Sequence, residues 1–172
     1  MIDIVQFNID RKHPWVQKLG FQEFVNASQL RIIIGGDDDR NLKAVRNGSI
    51  DILMSPESMK GKDHLHWRNS GLNQVMLSLA KKNNVAVGFA LQSILQTEGV
   101  KRAQLLGRMM QNVGLCRKYK VKMTLCSFAR DIWGLRSASD MQGFGRIIGM
   151  TPKEAKEALD FRRTKGGIEI FS

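Results

Sequence analysis

Three consecutive aspartates are the residues whose types and spacing come nearest to a catalytic or metal site. Asp37, Asp38 and Asp39 directly follow an apolar segment that is predicted to be a strand, and α/β proteins place active sites where strands end. Carboxylates grouped in this way could bind Mg²⁺. They also suit the start of a helix, where aspartate caps free backbone N–H groups and negative charge is favourable. Since the sequence has no second carboxylate cluster to complete a two-metal site, we prefer the helix-start interpretation.

The His64-Leu65-His66 segment is a second candidate for chemistry, because an extended conformation would present both imidazoles on one face. Metal-dependent phosphoesterase barrels, however, assemble many ligands from several strand ends. This chain has three histidines, and the third, His13, lies beside a proline. Ser127 ends a predicted strand without the glycines of a nucleophile elbow. We therefore predict that this chain supplies no catalytic residue and binds no metal or other cofactor.

The two cysteines, Cys116 and Cys126, lie in apolar segments and have the spacing of neither a redox pair nor a zinc site. We interpret them as small buried residues in a reducing compartment. The first residues lack the basic start and apolar core of a signal peptide, and no apolar run approaches the length of a membrane span. We expect a cytoplasmic protein with no membrane partner.

An excess of positive charge is the clearest functional signal in the composition. The 172 residues include 27 lysines and arginines and 16 aspartates and glutamates, for a formal net charge of +11. Residues 101–172 carry 15 basic and 6 acidic side chains, against 12 and 10 in residues 1–100. A field with this sign and distribution favours a polyanionic partner, most simply nucleic acid. A basic proteome or a requirement for solubility is the alternative explanation.

A set of basic side chains, most of them at the ends of predicted helices and strands, contains the candidate nucleic-acid contacts. The set consists of Lys81, Lys82, Arg108, Arg117, Lys118, Lys120, Lys122, Arg130 and Arg136. Arg130 and Arg136 follow the last clear strand and so belong to one rim of the sheet, while the residues that end helices belong to the other. The helix macrodipole by itself also favours lysines at helix ends. Phe128 and Trp133 lie among the arginines and could stack on bases, but we prefer the core interpretation.

Short apolar runs that alternate with helical patterns would position these residues. Strands are predicted at residues 4–7, 21–25, 32–34, 50–54, 85–91 and 121–126. Their length and polar boundaries are typical of parallel strands covered on both faces. Strand, helix and strand at this spacing build right-handed βαβ units. The chain is therefore predicted to be one α/β domain covering residues 1–172.

Helical periodicity is clearest between the last three strands. One apolar stripe runs through residues 72–80 and ends at Asn83-Asn84, and a longer helix is predicted at residues 100–119 with Met110 and Val113 facing inward. Ser137 opens a helix predicted at residues 141–148. Thr151 opens another with a capping box and proline at its first position. Residues 161–172 are predicted to form a basic turn and a short edge strand at 168–171.

An ordered series of segments resembles ribonuclease P protein component 3, the archaeal counterpart of the thirty-kilodalton subunit of the eukaryotic enzyme. The segments are LNQVMLSLAKKNNVAVGF at 72–89, KYKVKMTLCS at 118–127, LRSASD at 135–140 and IIGMTPKEAK at 147–156. Residues 50–56, IDILMSP, also resemble a strand of that family. The resemblance covers residues 50–160 well and residues 1–49 loosely.

The resemblance implies a TIM-barrel-like (β/α) barrel, related in shape to the polymerase and histidinol phosphatase barrels but without their metal ligands. It implies an RNA-binding subunit of ribonuclease P, the endonuclease that removes the 5′ leader from precursor tRNA, with hydrolysis carried out by the enzyme's RNA and Mg²⁺. The implied partners are ribonuclease P RNA, protein component 2 in a heterodimer or dimer of heterodimers, and precursor tRNA indirectly. A complete barrel usually needs more than about 200 residues, so we expect a shortened or incomplete one.

Two other functions are weighed against this one. A metal-dependent phosphoesterase of the related barrel type needs more ligands than three histidines and scattered aspartates provide. A basic nucleic-acid-binding barrel outside this enzyme explains the charge but not the ordered segments. Metal analysis would identify the first, and the identity of co-purifying RNA would identify the second.

Overall fold

Parallel strands and the helices that connect them make up most of the molecule. The computed structural model describes residues 1–58, 61–63, 65–164 and 167–170. The parallel strands are β1 (Ile2–Val5), β2 (Glu23–Asn26), β3 (Ile32–Ile34), β4 (Ile52–Met54), β5 (Ala86–Ala90) and β6 (Met123–Cys126). An antiparallel hairpin follows, formed by β7 (Phe161–Thr164) and β8 (Gly167–Ile170). The predicted α/β class with parallel strands is confirmed.

Five of the seven described α-helices begin after a residue whose side chain caps the first backbone N–H groups. The seven are α1 (Pro14–Gln17), α2 (Asp38–Asn47), α3 (Gln74–Lys82), α4 (Leu91–Leu95), α5 (Gly99–Tyr119), α6 (Ala138–Ile147) and α7 (Pro152–Glu157). The Asp37 carboxylate accepts a hydrogen bond from the Arg40 backbone N–H at 2.8 Å, which confirms the helix-start interpretation of the aspartates. Ser137 and Thr151 both form complete capping boxes, as predicted for α7.

The strands curve into an open barrel. β3, β4, β5 and β6 are hydrogen-bonded in that order, and β1 pairs with β2. β1 also lies against β6, because the Phe128 N–H donates to the Ile4 carbonyl at 2.9 Å and the Gln6 N–H donates to the Ala129 carbonyl at 2.7 Å. Within the described residues no strand pairing joins β2 to β3, so a seam remains there. The TIM-barrel-like prediction is confirmed in its shortened form, as a barrel that is not closed.

Side chains along each strand point alternately into and out of the barrel, so the core has two layers. Buried side chains that pack together inside the barrel include Ile2, Ile4, Leu30, Ile52, Met54, Ala86, Ala90, Cys126 and Phe128. The alternate positions Leu53, Val87 and Leu125 face outward and pack beneath α3, α5 and α6. This arrangement is typical of (β/α) barrels. It fixes which strand ends meet at each rim of the barrel.

Some predicted element boundaries were wrong. Leu91 begins α4 instead of ending β5, and residues 161–164 form β7 where a turn was predicted. The predicted last strand is present as β8, although Phe171 lies outside the described residues. Phe7 lies beyond the end of β1. The apolar run through Leu91 hides the boundary, because buried strands and buried helices use the same residue types.

The buried face of α5 also differs from the predicted one. Val113 is buried as expected, but Met110 is 51% exposed and its neighbour Met109 is fully buried. Arg108 and Asn112 are buried too, because they face polar groups contributed by the chain before α3. A periodicity counted on apolar residues ignores such partners. No described helix, α5 included, is both long and apolar enough to cross a membrane.

Candidate nucleic-acid interface

The candidate basic residues divide between the two ends of the barrel, as the order of the elements predicts. One group, called here the helix-end group, lies where helices finish and β5 and β6 begin: Lys81, Lys82, Arg117, Lys118, Lys120 and Lys122. The strand-end group, Arg130 and Arg136, follows β6. Because the strands are parallel, the groups lie at opposite rims. They cannot contact one stretch of phosphate backbone together.

Arg117 is held by an ion pair that limits its use as a phosphate contact. Its guanidinium donates to both carboxylate oxygens of Glu154 at 2.8 and 2.7 Å, and to the Gly149 carbonyl at 2.8 Å. The hydrogen bonds from Arg117 lower the pKa of Glu154 to about 2, so this carboxylate is charged at neutral pH. The pair joins the end of α5 to the start of α7.

The lysines of the helix-end group are the more accessible cations at that rim. Lys118 and Lys120 are exposed. Lys120 and Lys122 line a groove of about 480 Å³, but Glu154 and Glu157 line it as well. Glu154 and Glu157 are themselves paired with Arg117 and Lys153. Lysines near a helix C-terminus also interact favourably with the helix dipole. At this rim the structure therefore offers exposed lysines, such as Lys118 and Lys120, beside carboxylates.

Arg108 is buried, which removes it from the candidate nucleic-acid contacts. Its side chain is 6% exposed. Its Nε donates to Asp63 Oδ1 at 2.7 Å, and its Nη2 donates to the Gly61 carbonyl at 2.7 Å. The side chain thereby holds the segment after β4 against α5. Helical periodicity misses this role, because it assigns a long charged side chain to the solvent-facing side by default.

Glu57, which the sequence analysis did not single out, lies buried beside Arg108. Burial raises the pKa of Glu57 to about 8, so its protonated form predominates at neutral pH. Asn112 Nδ2 donates to Glu57 Oε2 at 3.4 Å and to the Ser70 carbonyl at 2.9 Å. A carboxyl with a shifted pKa can mark an active site. This one belongs to a hydrogen-bond network that holds α5 in place. Its one sequence signal is its position shortly after β4.

An exposed aromatic residue, Trp133, lies between the two arginines of the strand-end group in the sequence. Arg130 is exposed, and Arg136 is partly buried with its Nη1 donating to the Trp133 and Leu135 carbonyls at 2.9 and 2.7 Å. Phe128 is 8% exposed, which confirms its core interpretation. Trp133 is 83% exposed, so the core interpretation was wrong for this residue.

Two of the three histidines, His13 and His66, lie within the described residues. His13 Nδ1 accepts a hydrogen bond from the Trp15 backbone N–H at 3.3 Å at the start of α1. His66 is exposed, and His64 lies outside the described residues. In the part of the chain that the structure describes, no three histidine, cysteine or carboxylate side chains are close enough to hold a metal ion together.

Both cysteines are buried and unpaired, as predicted. Burial raises the pKa of the Cys116 and Cys126 thiols above the usual cysteine range. Since the thiolate is the reactive form, both residues act as small core side chains.

Comparison with known proteins decides the family. The family model of RNase P subunit p30 matches residues 8–163. The chain belongs to the RNase P subunit p30 family. Ribonuclease P protein component 3 of Methanosarcina acetivorans is 34% identical over 92% of this chain and 61% of the relative, and that of Thermococcus kodakarensis is 32% identical over 79% and 58%. This p30-family chain spans about three fifths of the length of the curated relatives it matches.

The p30-family fold also has a counterpart among solved structures. A protein in a cryo-EM structure of archaeal ribonuclease P with mature tRNA matches this chain with a TM-score of 0.62 and 22% sequence identity. The match covers 91% of this chain and 63% of the other. The likeness confirms the fold. The phosphoesterase and the nucleic-acid-binding barrel outside ribonuclease P are not supported by these comparisons.

Proposed function

We propose that this chain is an RNA-binding protein subunit of ribonuclease P and supports RNA-catalysed removal of the 5′ leader from precursor tRNA. The observation that carries the proposal is the p30 family match over residues 8–163. The net charge of +11 and the basic residues at both rims support contact with RNA. The chain thus belongs to a hydrolase, an endoribonuclease that acts on precursor tRNA. The proposed compartment is the cytoplasm.

The chemistry is assigned to ribonuclease P RNA, together with Mg²⁺ that the RNA binds. Hydrolysis of a phosphodiester at neutral pH needs a positioned metal or a general acid–base pair that faces the scissile group. Glu57 has a raised pKa, but its side chain is fully buried beside Arg108 and Asn112. The protein's contribution is positive charge, which offsets phosphate repulsion as the RNA compacts and lowers the Mg²⁺ requirement.

The proposed RNA contacts are the exposed members of both groups. Phosphate can reach exposed cations of the two groups, among them Lys81, Lys82, Lys118, Lys120 and Arg130. Arg117 would have to share its guanidinium with Glu154, and Arg108 is excluded by burial. Since the two groups lie at opposite rims, we assign them to separate contacts.

Protein component 2 is the proposed protein partner, in a heterodimer or a dimer of heterodimers. The family resemblance supports this partner, and so do apolar side chains that the structure leaves in water. Val75 on α3 is 61% exposed, and Val100 and Met110 on α5 are 75% and 51% exposed. Size-exclusion chromatography of the co-expressed pair should give one complex, and separate monomer peaks at micromolar concentration would contradict it.

The test of the RNA-binding function is the identity of the RNA recovered with the tagged protein from its native cells. Ribonuclease P RNA should be the most enriched species. A variant with Lys118→Ala and Arg130→Ala should recover less of it. The control is Lys43→Ala, at an exposed cation in the middle of α2 that lies outside both groups. Enrichment of other RNAs without ribonuclease P RNA would overturn the proposal.

A further inference from the structure

Trp133 presents a large aromatic surface to solvent at the rim where β6 ends. Its exposed fraction of 83% is the highest of the three tryptophans, compared with 40% for Trp15 and 56% for Trp67. Because the indole is exposed, it contributes little hydrophobic free energy to the stability of the monomer. Tryptophan in this position is instead suited to contact with another flat or apolar surface.

Hydrogen bonds hold the backbone that carries Trp133. The Asp131 carboxylate accepts from the backbone N–H groups of Trp133 and Gly134, both at 3.0 Å. From the other side, Arg136 Nη1 donates to the Trp133 carbonyl at 2.9 Å. The turn is therefore formed before any ligand arrives, and binding to it would lose little conformational entropy.

Packing on both sides anchors the same turn to the barrel. Ala129 before it and Leu135 after it are fully buried. A Cβ atom on Gly134 would lie 3.0 Å from both Ala129 Cβ and Gln92 Oε1, so the backbone at Gly134 rests directly on the barrel. With these neighbours held inward, Trp133 remains at the surface.

Charged residues lie close to Trp133 in the chain, and Arg136 contacts its backbone. Arg130 is exposed three residues before Trp133, and the Asp131 carboxylate is already used by the turn. Arg136 uses Nη1 within the protein, and its other guanidinium nitrogens make no hydrogen bond to the described part of the chain. Tryptophan with arginine is common both at protein interfaces and at sites for single-stranded nucleic acid. The net charge of +11 favours nucleic acid as the occupant here.

The space beside Arg130 limits how a nucleotide could bind. A depression of about 100 Å³ opens at the barrel mouth, lined by residues that include Gln6, Gln92, Phe128 and Arg130. Pockets that enclose a small-molecule ligand are usually about 300–1,000 Å³. A base would therefore lie on the surface that Trp133 provides and would not enter the barrel.

We propose that Trp133 and Arg130 form a binding site for one unpaired nucleotide of RNA. The base stacks on the Trp133 indole, and its phosphate pairs with the Arg130 guanidinium. This inference rests on the proposed RNA-binding function and adds a preference for single-stranded over duplex RNA at the strand-end rim. The interior bases of a duplex are already stacked on both faces, so only its two terminal pairs could offer a face to the indole.

Binding of labelled RNA to the full chain tests the site directly. The probes are an oligouridylate of about 12 nucleotides and an RNA duplex of the same length. Trp133→Ala should weaken binding of the single strand about five-fold or more, because stacking contributes roughly 1–3 kcal/mol per base. Binding of the duplex, and the salt dependence of both, should stay unchanged because no charge is removed.

Matched variants distinguish stacking from other causes. Trp133→Phe should retain most of the affinity for the single strand while losing the fluorescence quenching that the wild-type indole shows on binding. Trp15→Ala, at one of the two other partly exposed tryptophans, should change neither the affinity nor the quenching. Equal loss on single strand and duplex, or no loss on either, would overturn the inference. So would a Trp133→Ala chain that binds RNA normally but no longer forms a complex with protein component 2.

The stacking site and the proposed subunit function can be contradicted separately. If Trp133→Ala changes nothing while the wild-type chain still recovers ribonuclease P RNA, the stacking site is wrong and the subunit function stands. If the wild-type chain recovers no ribonuclease P RNA but still prefers single-stranded RNA through Trp133, the stacking site stands and the subunit function is wrong.

Discussion

Arg108 and Arg130 carry the same charge in opposite environments. Arg108 donates to Asp63 Oδ1 and to backbone carbonyls in the interior, whereas Arg130 is exposed at the barrel mouth. A phosphate could reach Arg108 only after the protein broke a buried ion pair, which typically costs about 3–5 kcal/mol. At the scale of residues, burial therefore decides which cations are available to RNA.

Glu57 gives a prediction about pH. Its pKa of about 8 in the folded protein lies above the ordinary value of 4.5, so between these pH values the folded state holds a proton that the unfolded state has lost. The free energy of unfolding should therefore fall as the pH rises from about 4.5 to 8. Glu57→Gln should reduce this slope and stabilise the protein above pH 8, by roughly 2–4 kcal/mol.

Urea unfolding of both proteins between pH 4 and 9 measures this effect. The two curves should meet near pH 4, where wild-type Glu57 is protonated in both states. Glu98→Gln is the matched control, because Glu98 is exposed and makes no capping hydrogen bond. An undiminished slope in the Glu57→Gln protein would show that this carboxyl is not the buried titrating group.

The candidate site could be predicted from the sequence only in part. The rim of each basic group follows from the order of strands and helices, so Lys118 and Arg130 could be placed correctly. The burial of Arg108 depends on Asp63, 45 residues away, and no local pattern contains that contact. The exposure of Trp133 depends on Asp131 and Gly134 holding a turn, which outweighs the usual tendency of tryptophan to be buried.

The hydrogen-bonded joint between β1 and β6 connects the two parallel sheets of the open barrel. Asp3 in β1 accepts hydrogen bonds from the Ser127 backbone N–H at 2.7 Å and from its Oγ at 2.6 Å, and both residues are fully buried. Burial raises the pKa of Asp3 to about 6, while the bonds from Ser127 lower it. The carboxylate is thus mainly charged at pH 7 and needs both donors.

Ser127→Ala should therefore loosen this joint. Removal of the hydroxyl leaves Asp3 Oδ2 without its donor, and we expect a loss of about 1–3 kcal/mol in the free energy of unfolding. Hydrogen exchange of the Gln6 and Phe128 amides, which bridge the two strands, should become faster. Ser139→Ala, at an exposed position, should change stability by less than about 0.5 kcal/mol. Unaltered protection of both bridging amides would contradict the role assigned to Ser127.

Elements with local signals could be predicted, and those that depend on distant contacts could not. The Thr151 capping box lies within four consecutive residues, so the start of α7 is visible in the sequence. The β1–β6 joint links residues 124 positions apart. The seam beside β2 could be anticipated only through chain length, because each strand by itself has the pattern of a barrel strand.

The distribution of charge over the whole molecule gives a prediction about salt. Each true phosphate contact that is removed should reduce the slope of log affinity against log salt by nearly one. Alanine variants at Lys118, Lys120 and Arg130 should show this with ribonuclease P RNA, and Lys43→Ala should not. If only the variants from one rim reduce the slope, that rim contacts RNA and the other rim faces a partner or solvent. An unchanged slope in every variant would show that net charge is not what binds the RNA.

Cleavage of precursor tRNA across a Mg²⁺ series is the most direct test of the central claim, that this chain supports a catalytic RNA and is not itself the catalyst. The measurement compares the protein alone, ribonuclease P RNA alone, and the RNA with this chain and protein component 2. We expect no cleavage by the protein alone with any divalent ion, and cleavage by the mixture at a lower Mg²⁺ concentration than the RNA alone requires. Metal-dependent cleavage by the protein alone, abolished by a His64→Ala and His66→Ala double substitution, would contradict the account.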